Sequence, residues 1–236
     1  MKTHIVLVPG FWLGSWAWDA VLPHLERSDT TRVTSLTLPG LDAVDADRSA
    51  VTFDAHVRAV IDAVSDSDER TVLVVHSGAG PVGYAVTDRI PDRVARIIYV
   101  DSGPMPDGAA LRPDLAADVV EIPLPTWAEL EADGSSLEGL DEKALEAFRA
   151  NAVPEPAGPA REPIVLTNEK RYQVPSTVVC STFPSAVIAQ MADGGHPMAA
   201  ELAKLPVTYV DLPTGHWPMW SRPEDVAQVI LEAAAS

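Results

Sequence analysis

A mostly parallel α/β sheet with helices on both faces is the fold class this sequence predicts, and three observations predict it. Short apolar runs rich in Val and Ile recur at Ile5 to Val8, Val72 to Val75 and Val94 to Val100, without the polar alternation of a half-exposed strand. Such runs read as strands buried on both faces. Helical patterns lie between them, so strand and helix alternate at the spacing of parallel crossovers. The 236 residues are enough for one large α/β domain with a substantial core.

Each element has its own signal. The first strand, Ile5 to Val8, is stopped by Pro9-Gly10, and a loop rich in Gly and aromatic residues leads to a helix expected over Trp16 to Leu25. Val33 to Leu38 alternates and ends at Pro39-Gly40, which marks a second strand and a tight loop. Asp42 to Arg48 reads as an acidic, exposed connection. Phe53, Val57, Val60, Ile61 and Val64 share one face of a helix over Phe53 to Val64, with His56 off that stripe and expected in solvent. Strand Val72 to Val75 runs into Ser77, and the small residues after it open a helix expected to run through Tyr84 to Ile90. Strand Val94 to Val100 then ends at Asp101.

After Ser102 the pattern breaks for about seventy residues, too long for a simple loop and too irregular for more sheet. Two short helices are expected there, Trp127 to Ala132 and Asp141 to Ala152. Their apolar residues favour a lid, spanning about 102–163 within a single domain of residues 1–236, with Pro154 to Pro163 as the return linker. Regularity resumes at a strand over Thr177 to Cys180, a helical stretch at Met198 to Leu205 and a last strand, Val207 to Asp211. Ser221 to Glu224 has the spacing of a capping box opening a final helix to about Ala235.

Composition excludes several classes of partner. With 34 acidic against 17 basic residues and a formal charge of -17, the chain is poorly suited to nucleic acid or an anionic membrane surface. Its one cysteine, Cys180, cannot form an internal disulfide and offers no metal-ligand spacing. No phosphate-binding loop is visible, so neither a metal nor another cofactor is expected. No apolar run approaches a membrane span, and strand-like residues begin at Ile5, so a cytoplasmic protein is expected.

The chemistry centres on Val72 to Gly83, VLVVHSGAGPVG. Ser77 falls where a buried strand turns sharply into a helix, and Gly78, Ala79 and Gly80 are small enough for a tight turn. That is the setting of an exposed nucleophilic serine; the alternative is a helix-capping serine in an ordinary turn. His216 follows Gly215 on the loop after the last strand. A serine hydroxyl is a weak nucleophile at neutral pH, and a histidine that removes its proton makes it a strong one.

Together these segments, with VLVPGFWLGSWAWDAVLPHL at the first loop and LPTGHWPMWSRPEDVAQVI at the end, resemble the α/β-hydrolase superfamily. The likeness is to small lid-bearing esterases of the plant methylesterase and hydroxynitrile lyase branch. It implies an α/β-hydrolase fold, a small-molecule ester substrate and an acyl-enzyme route with no cofactor. In that scheme Ser77 is the nucleophile, His216 the base, and the N–H groups of Phe11 and Gly78 form the oxyanion hole. Pro9 stands where the family usually has His. Trp12, Trp127 and Trp217 are the expected pocket residues.

The commonest site for the family's acid is the loop after Thr177 to Cys180, but that loop reads STFPS here and holds no carboxylate. A variant of the fold puts the acid at the end of the strand after the elbow helix, and Asp101 in IIYVDSG occupies that place. Asp101 then orients His216, or else merely caps its own loop. Hydroxynitrile lyases of this branch carry Thr at Gly10 and Lys at Trp217, so cyanohydrin cleavage is disfavoured. Carbon-carbon bond cleavage and a catalytically silent ligand-binding protein remain as alternatives.

Overall fold

The computed structural model describes residues 3–27, 31–66 and 69–236. Its strands are β1 (Thr3–Val8), β2 (Thr31–Ser35), β3 (Thr71–His76), β4 (Val94–Val100), β5 (Glu121–Ile122), β6 (Glu155–Pro156), β7 (Ser176–Cys180) and β8 (Val207–Asp211). Its α-helices are α1 (Leu22–Leu25), α2 (Phe53–Ser65), α3 (Gly80–Arg89), α4 (Trp127–Ala132), α5 (Glu142–Asn151), α6 (Ala157–Arg161), α7 (Ser185–Asp193), α8 (Pro218–Ser221) and α9 (Pro223–Ala235). Six strands form one sheet in the order β2-β1-β3-β4-β7-β8, every neighbouring pair parallel. β5 and β6 pair antiparallel in the segment between β4 and β7.

The apolar runs lack alternation because both faces of the sheet are covered. Val6, Val8, Leu73, Val75, Ile97 and Tyr99 bury against the face that carries α2 and α3. The intervening Ile5, Leu7, Val72, Val74, Ile98 and Val100 pack on the opposite face with Trp18, Leu25 and, from α9, Val226 and Ile230. The strand period of two sends successive side chains to opposite cores. Register then fixes what emerges at the carboxyl edge. Val8 pairs with Val75 and His76 with Val100, so Pro9, Ser77 and Asp101 leave the sheet side by side. Ligands of open α/β sheets bind at this edge.

Several elements differ from expectation. The helix expected over Trp16 to Leu25 is a 3-10 turn, Ser15–Trp18, followed by α1. Pro23 lacks the N–H a continuous helix would need. The second strand is Thr31–Ser35, ending before Leu38. His56 is buried and its Nε2 donates to the Pro39 carbonyl at 2.9 Å. Arg48, expected in an exposed connection, is also buried, donating to the carbonyls of Ala43, Ala46 and Pro154.

Further along, Pro154 to Pro163 is no simple linker, since it contains β6 and α6. α7 was not foreseen, and Met198 to Leu205 holds only a 3-10 turn, Leu202–Lys204. The final helix forms without the capping box. Pro223 sits in its first turn, and Ser221 Oγ instead bonds Thr214 Oγ1 at 2.8 Å. α4 and α5 form as expected, their first turns capped by Thr126 and Asp141.

Candidate active site

Three non-glycine residues among those described have positive φ: Trp12 at 66°, Ser77 at 50° and Asp101 at 43°. The left-handed conformation costs a non-glycine residue about 1–3 kcal/mol and persists only where its surroundings enforce it. All three lie on loops that leave the carboxyl edge of the sheet. Around Ser77 the enforcement is steric. A Cβ on Gly10 would lie 2.7 Å from Ser77 Cβ, and a Cβ on Gly80 would collide with Ser102 Oγ and the Gly103 carbonyl. Ser102 Oγ–H also donates to the Ser77 carbonyl at 2.5 Å, closing the turn.

The strained serine faces a histidine. Ser77 Oγ lies 2.7 Å from His216 Nε2, and His216 Nδ1 lies 2.5 Å from Asp101 Oδ2. A carboxylate only accepts, so Nδ1 carries the proton and Nε2 is left to accept from the serine hydroxyl. Asp101 is held in turn. Its Oδ1 accepts the Thr182 N–H at 2.9 Å and the Ser181 N–H at 3.3 Å, and its Oδ2 accepts from Thr182 Oγ1 at 2.7 Å. Burial alone would raise the Asp101 pKa. The bond to His216, the imidazole's charge and the Thr182 donors outweigh burial and hold the carboxyl far below the ordinary range. Asp101 therefore both caps the loop after β7 and engages His216.

His216 is steadied from two further sides. His76, buried beside Ser77, donates from Nε2 to the His216 carbonyl at 2.8 Å; burial, with the nearby His216, pushes its pKa down to about 3, so it stays neutral. The segment between β4 and β7 supplies the rest. The His216 N–H donates to the Ser136 carbonyl at 2.7 Å and the Gly215 N–H to the Glu138 carbonyl at 3.0 Å. Gly215 allows this approach because a Cβ there would lie 2.5 and 2.6 Å from those two oxygens.

On the other side of Ser77, the N–H groups of Phe11 and Gly78 make no hydrogen bond to any described residue. The Phe11 ring lies against Gly78, where a Cβ would come within 2.6 Å of ring carbons. A narrow cavity of about 10 Å³ opens beside them, lined by Leu38, Leu41, Phe53, Val82, His56 and Glu155 among others. That is room for roughly one water.

None of the three expected tryptophans lines this cavity. Trp217 is 2% exposed and packs edge-on to Phe148 and His216. Trp127 stacks at an angle on Phe148 and lies under the Arg149 guanidinium, beside an outer hollow bordered by Glu142 and Glu146. Trp12 turns its indole to the Ile122 carbonyl at 3.0 Å. Sequence reasoning missed Thr182, Ser102 and Glu155. The first stands in the very loop that lacks a carboxylate, and two donors next to an acid-free turn were the available signal. Among the described residues, no group of three or more His, Cys, Asp or Glu side chains is arranged to hold a metal ion.

A serine, histidine and aspartate linked in this order at the carboxyl edge of a parallel sheet accompany a sequence match to the alpha/beta hydrolase family over residues 5–229. The chain belongs to that family. Among its relatives, a pyrethroid hydrolase of Sphingobium wenxiniae is 27% identical, the match covering 98% of this chain and 88% of that protein. Methylesterase 8 of Arabidopsis thaliana is 37% identical over a shorter stretch, 45% of this chain and 40% of that one. An extracellular alpha/beta-hydrolase from a Paenibacillus species superposes with a TM-score of 0.76 at 23% identity, covering 98% of this chain and 99% of that one. Among the described residues no helix is long and apolar enough to cross a membrane.

Proposed function

We propose that the chain hydrolyses small carboxylic esters through an acyl-enzyme, with Ser77 as nucleophile. The unbroken hydrogen-bond relay from Ser77 through His216 to Asp101 carries this reading. His216 Nε2 takes the hydroxyl proton as Oγ attacks the ester carbonyl. The imidazolium so formed is stabilised by Asp101, which stays ionised and holds the ring in one tautomer. His216 then returns the proton to the departing alkoxide, and water repeats the cycle on the acyl-serine.

Negative charge develops on the former carbonyl oxygen, and the free N–H groups of Phe11 and Gly78 are the donors suited to receive it. Both are backbone groups, so the Pro9 substitution does not remove them. Residues from about 102 to 163 act as a lid in this reading, because that segment supplies Ser136 and Glu138 to the His216 loop and Glu155 to the cavity wall. The relatives named methylesterase and pyrethroid hydrolase support an ester substrate.

The test is a panel of aryl and alkyl esters with the wild type and Ser77→Ala. Turnover that is insensitive to chelator and lost in a folded Ser77→Ala protein is expected. Binding of esters without hydrolysis anywhere in the panel would favour a silent binding protein instead.

A further inference from the structure

Among the described residues three buried carboxylates stand outside the relay, Asp88, Glu155 and Glu201, and of these Glu155 borders the site. Glu155 in β6 is 2% exposed and lines the cavity that it shares with Phe11 and Gly78. Its Oε2 accepts the Trp12 N–H at 3.2 Å. Trp12 is one of the three strained residues, and its other polar groups are also taken by the same part of the chain. The Trp12 carbonyl accepts the Val153 N–H at 3.0 Å, and its indole Nε1 donates to the Ile122 carbonyl at 3.0 Å. Within the loop itself the Leu13 N–H donates to the Gly10 carbonyl at 3.3 Å, closing a turn with Phe11 and Trp12 at its centre, and Glu155 adds the bond to the Trp12 N–H. The neighbouring residue, Phe11, carries one of the two free N–H groups.

We infer that Glu155 is a positioning residue that sets the oxyanion loop, by fixing the Trp12 N–H and so the direction of the Phe11 N–H one residue before it. The inference rests on reading Phe11 N–H as an oxyanion donor. Glu155 touches neither Ser77 nor the reacting carbonyl. It acts through the backbone.

Its protonation state fits that task. Burial pushes the Glu155 pKa up to about 8, against the opposing pull of the Trp12 N–H and Arg48. At neutral pH the group is an uncharged acid whose C=O accepts from Trp12 and which places no negative charge beside a developing oxyanion. The surrounding charged groups are otherwise engaged. Arg48, from the loop before α2, binds Glu121 of β5 at 3.0 Å and several carbonyls. His56 of α2, with burial holding its pKa to about 4, is neutral and donates to Pro39. Glu162, after α6, accepts the Phe53 N–H at 2.8 Å. Above about pH 8 Glu155 ionises, and a buried anion next to the hole opposes the charge that catalysis must create there.

The experiment measures kcat and KM for a 4-nitrophenyl ester from pH 6 to 9.5 in wild type, Glu155→Ala, Glu155→Gln and Ser77→Ala. Glu155→Ala is expected to lower kcat roughly 10- to 100-fold with KM within about twofold, short of the 10²- to 10³-fold lost when a donor is deleted. Glu155→Gln, which still offers a carbonyl to Trp12, should restore most of kcat at pH 7. It should also lack the fall in kcat above pH 8 that the wild type shows.

An unchanged kcat in Glu155→Ala, or an alkaline fall in Glu155→Gln that matches the wild type, overturns the inference. If Glu155→Ala does not fold, the pH profile of Glu155→Gln decides alone. Turnover surviving in Ser77→Ala would sink the underlying reading, and this inference with it. Turnover lost in Ser77→Ala yet untouched in Glu155→Ala sinks the inference only.

Discussion

Ser77 and Asp101 follow directly on strands of the sheet, whereas His216 and the Phe11-Trp12 loop draw most of their backbone contacts from the segment between β4 and β7. Ser77 follows directly on β3, and Asp101 extends β4 far enough for its N–H to reach the Val179 carbonyl at 3.0 Å. Those two positions are consequences of strand register. The other two are not. The Gly215 and His216 N–H groups end on Glu138 and Ser136, and Trp12 ends on Ile122, Val153 and Glu155. Two positions of the candidate site are therefore set first by strand register, with Ser102 closing the Ser77 turn, and two are completed by a distant part of the chain, with His76 of β3 adding a bond to the His216 carbonyl. Loops positioned by a rigid scaffold are where function usually sits, and here the scaffold has two parts of different character.

The comparison can be broken first on the sheet side. Asp101→Asn keeps the shape but leaves His216 in the wrong tautomer, and kcat should fall by about 10³ to 10⁴ with the fold intact by circular dichroism. A loss under about tenfold would mean that the acid is elsewhere. On the other side, Gly215→Ala sets a methyl group against the Ser136 and Glu138 carbonyls and should displace the His216 loop. A shift of about 1 Å at the reacting groups is worth roughly 10²-fold in kcat. A smaller loss than Asp101→Asn is expected, with full secondary structure retained. A Gly215→Ala enzyme of wild-type activity would show that the distant segment does not position the histidine.

Thr182→Val sharpens the comparison within the sheet side alone, since it removes the Oγ1–H donor to Asp101 Oδ2 and keeps the N–H bond to Oδ1. One hydrogen bond to a charged group corresponds to roughly tenfold, and steady-state kinetics should show that drop in kcat with little change in KM.

The smallest effect concerns stability. In the folded protein burial lowers the His56 pKa to about 4 from the ordinary 6.5. Between those values the unfolded chain takes up a proton that the folded protein refuses, so stability falls as pH drops from 6.5 towards 4 and is unaffected above 6.5. His56→Gln keeps a donor for the Pro39 carbonyl. Urea unfolding at pH 7 and pH 4.5 should show a shallower acid loss in the variant, by at most about 1.4 kcal/mol per pH unit. An identical slope would place the acid sensitivity elsewhere, His76 being the next buried histidine.

What was legible in the sequence divides along the same line. β1, β3, β4 and β7 could be read from runs such as VLVV and IIYV, because burial on both faces leaves a local composition signature. Ser77 and Asp101 could be placed at the carboxyl edge of the sheet because each closely follows such a run, whereas His216 was marked by its Gly-His loop ahead of the last helix. Trp12, Trp127 and Trp217 lie outside the small cavity beside Phe11 and Gly78, and nothing local in the sequence distinguishes an aromatic ring that faces a cleft from one that packs on Phe148. His56 and Arg48 were misread for a related reason. A polar side chain in such a setting is usually solvated; Arg48 is covered by the later chain through Pro154 and Glu121, and His56 turns to the Pro39 carbonyl. Glu155 lay inside PEPAGPAREP, where prolines suggested a linker. Its partner, the Trp12 N–H, is 143 residues away.

The central claim is that His216 makes Ser77, and no other serine, a nucleophile. It is tested most directly by treating the intact protein with a fluorophosphonate and locating the adduct by peptide mass spectrometry. The account predicts one phosphonylated residue, Ser77, with labelling abolished in Ser77→Ala and strongly slowed in His216→Ala. Labelling at another serine, or labelling of Ser77 at the same rate without His216, would contradict it.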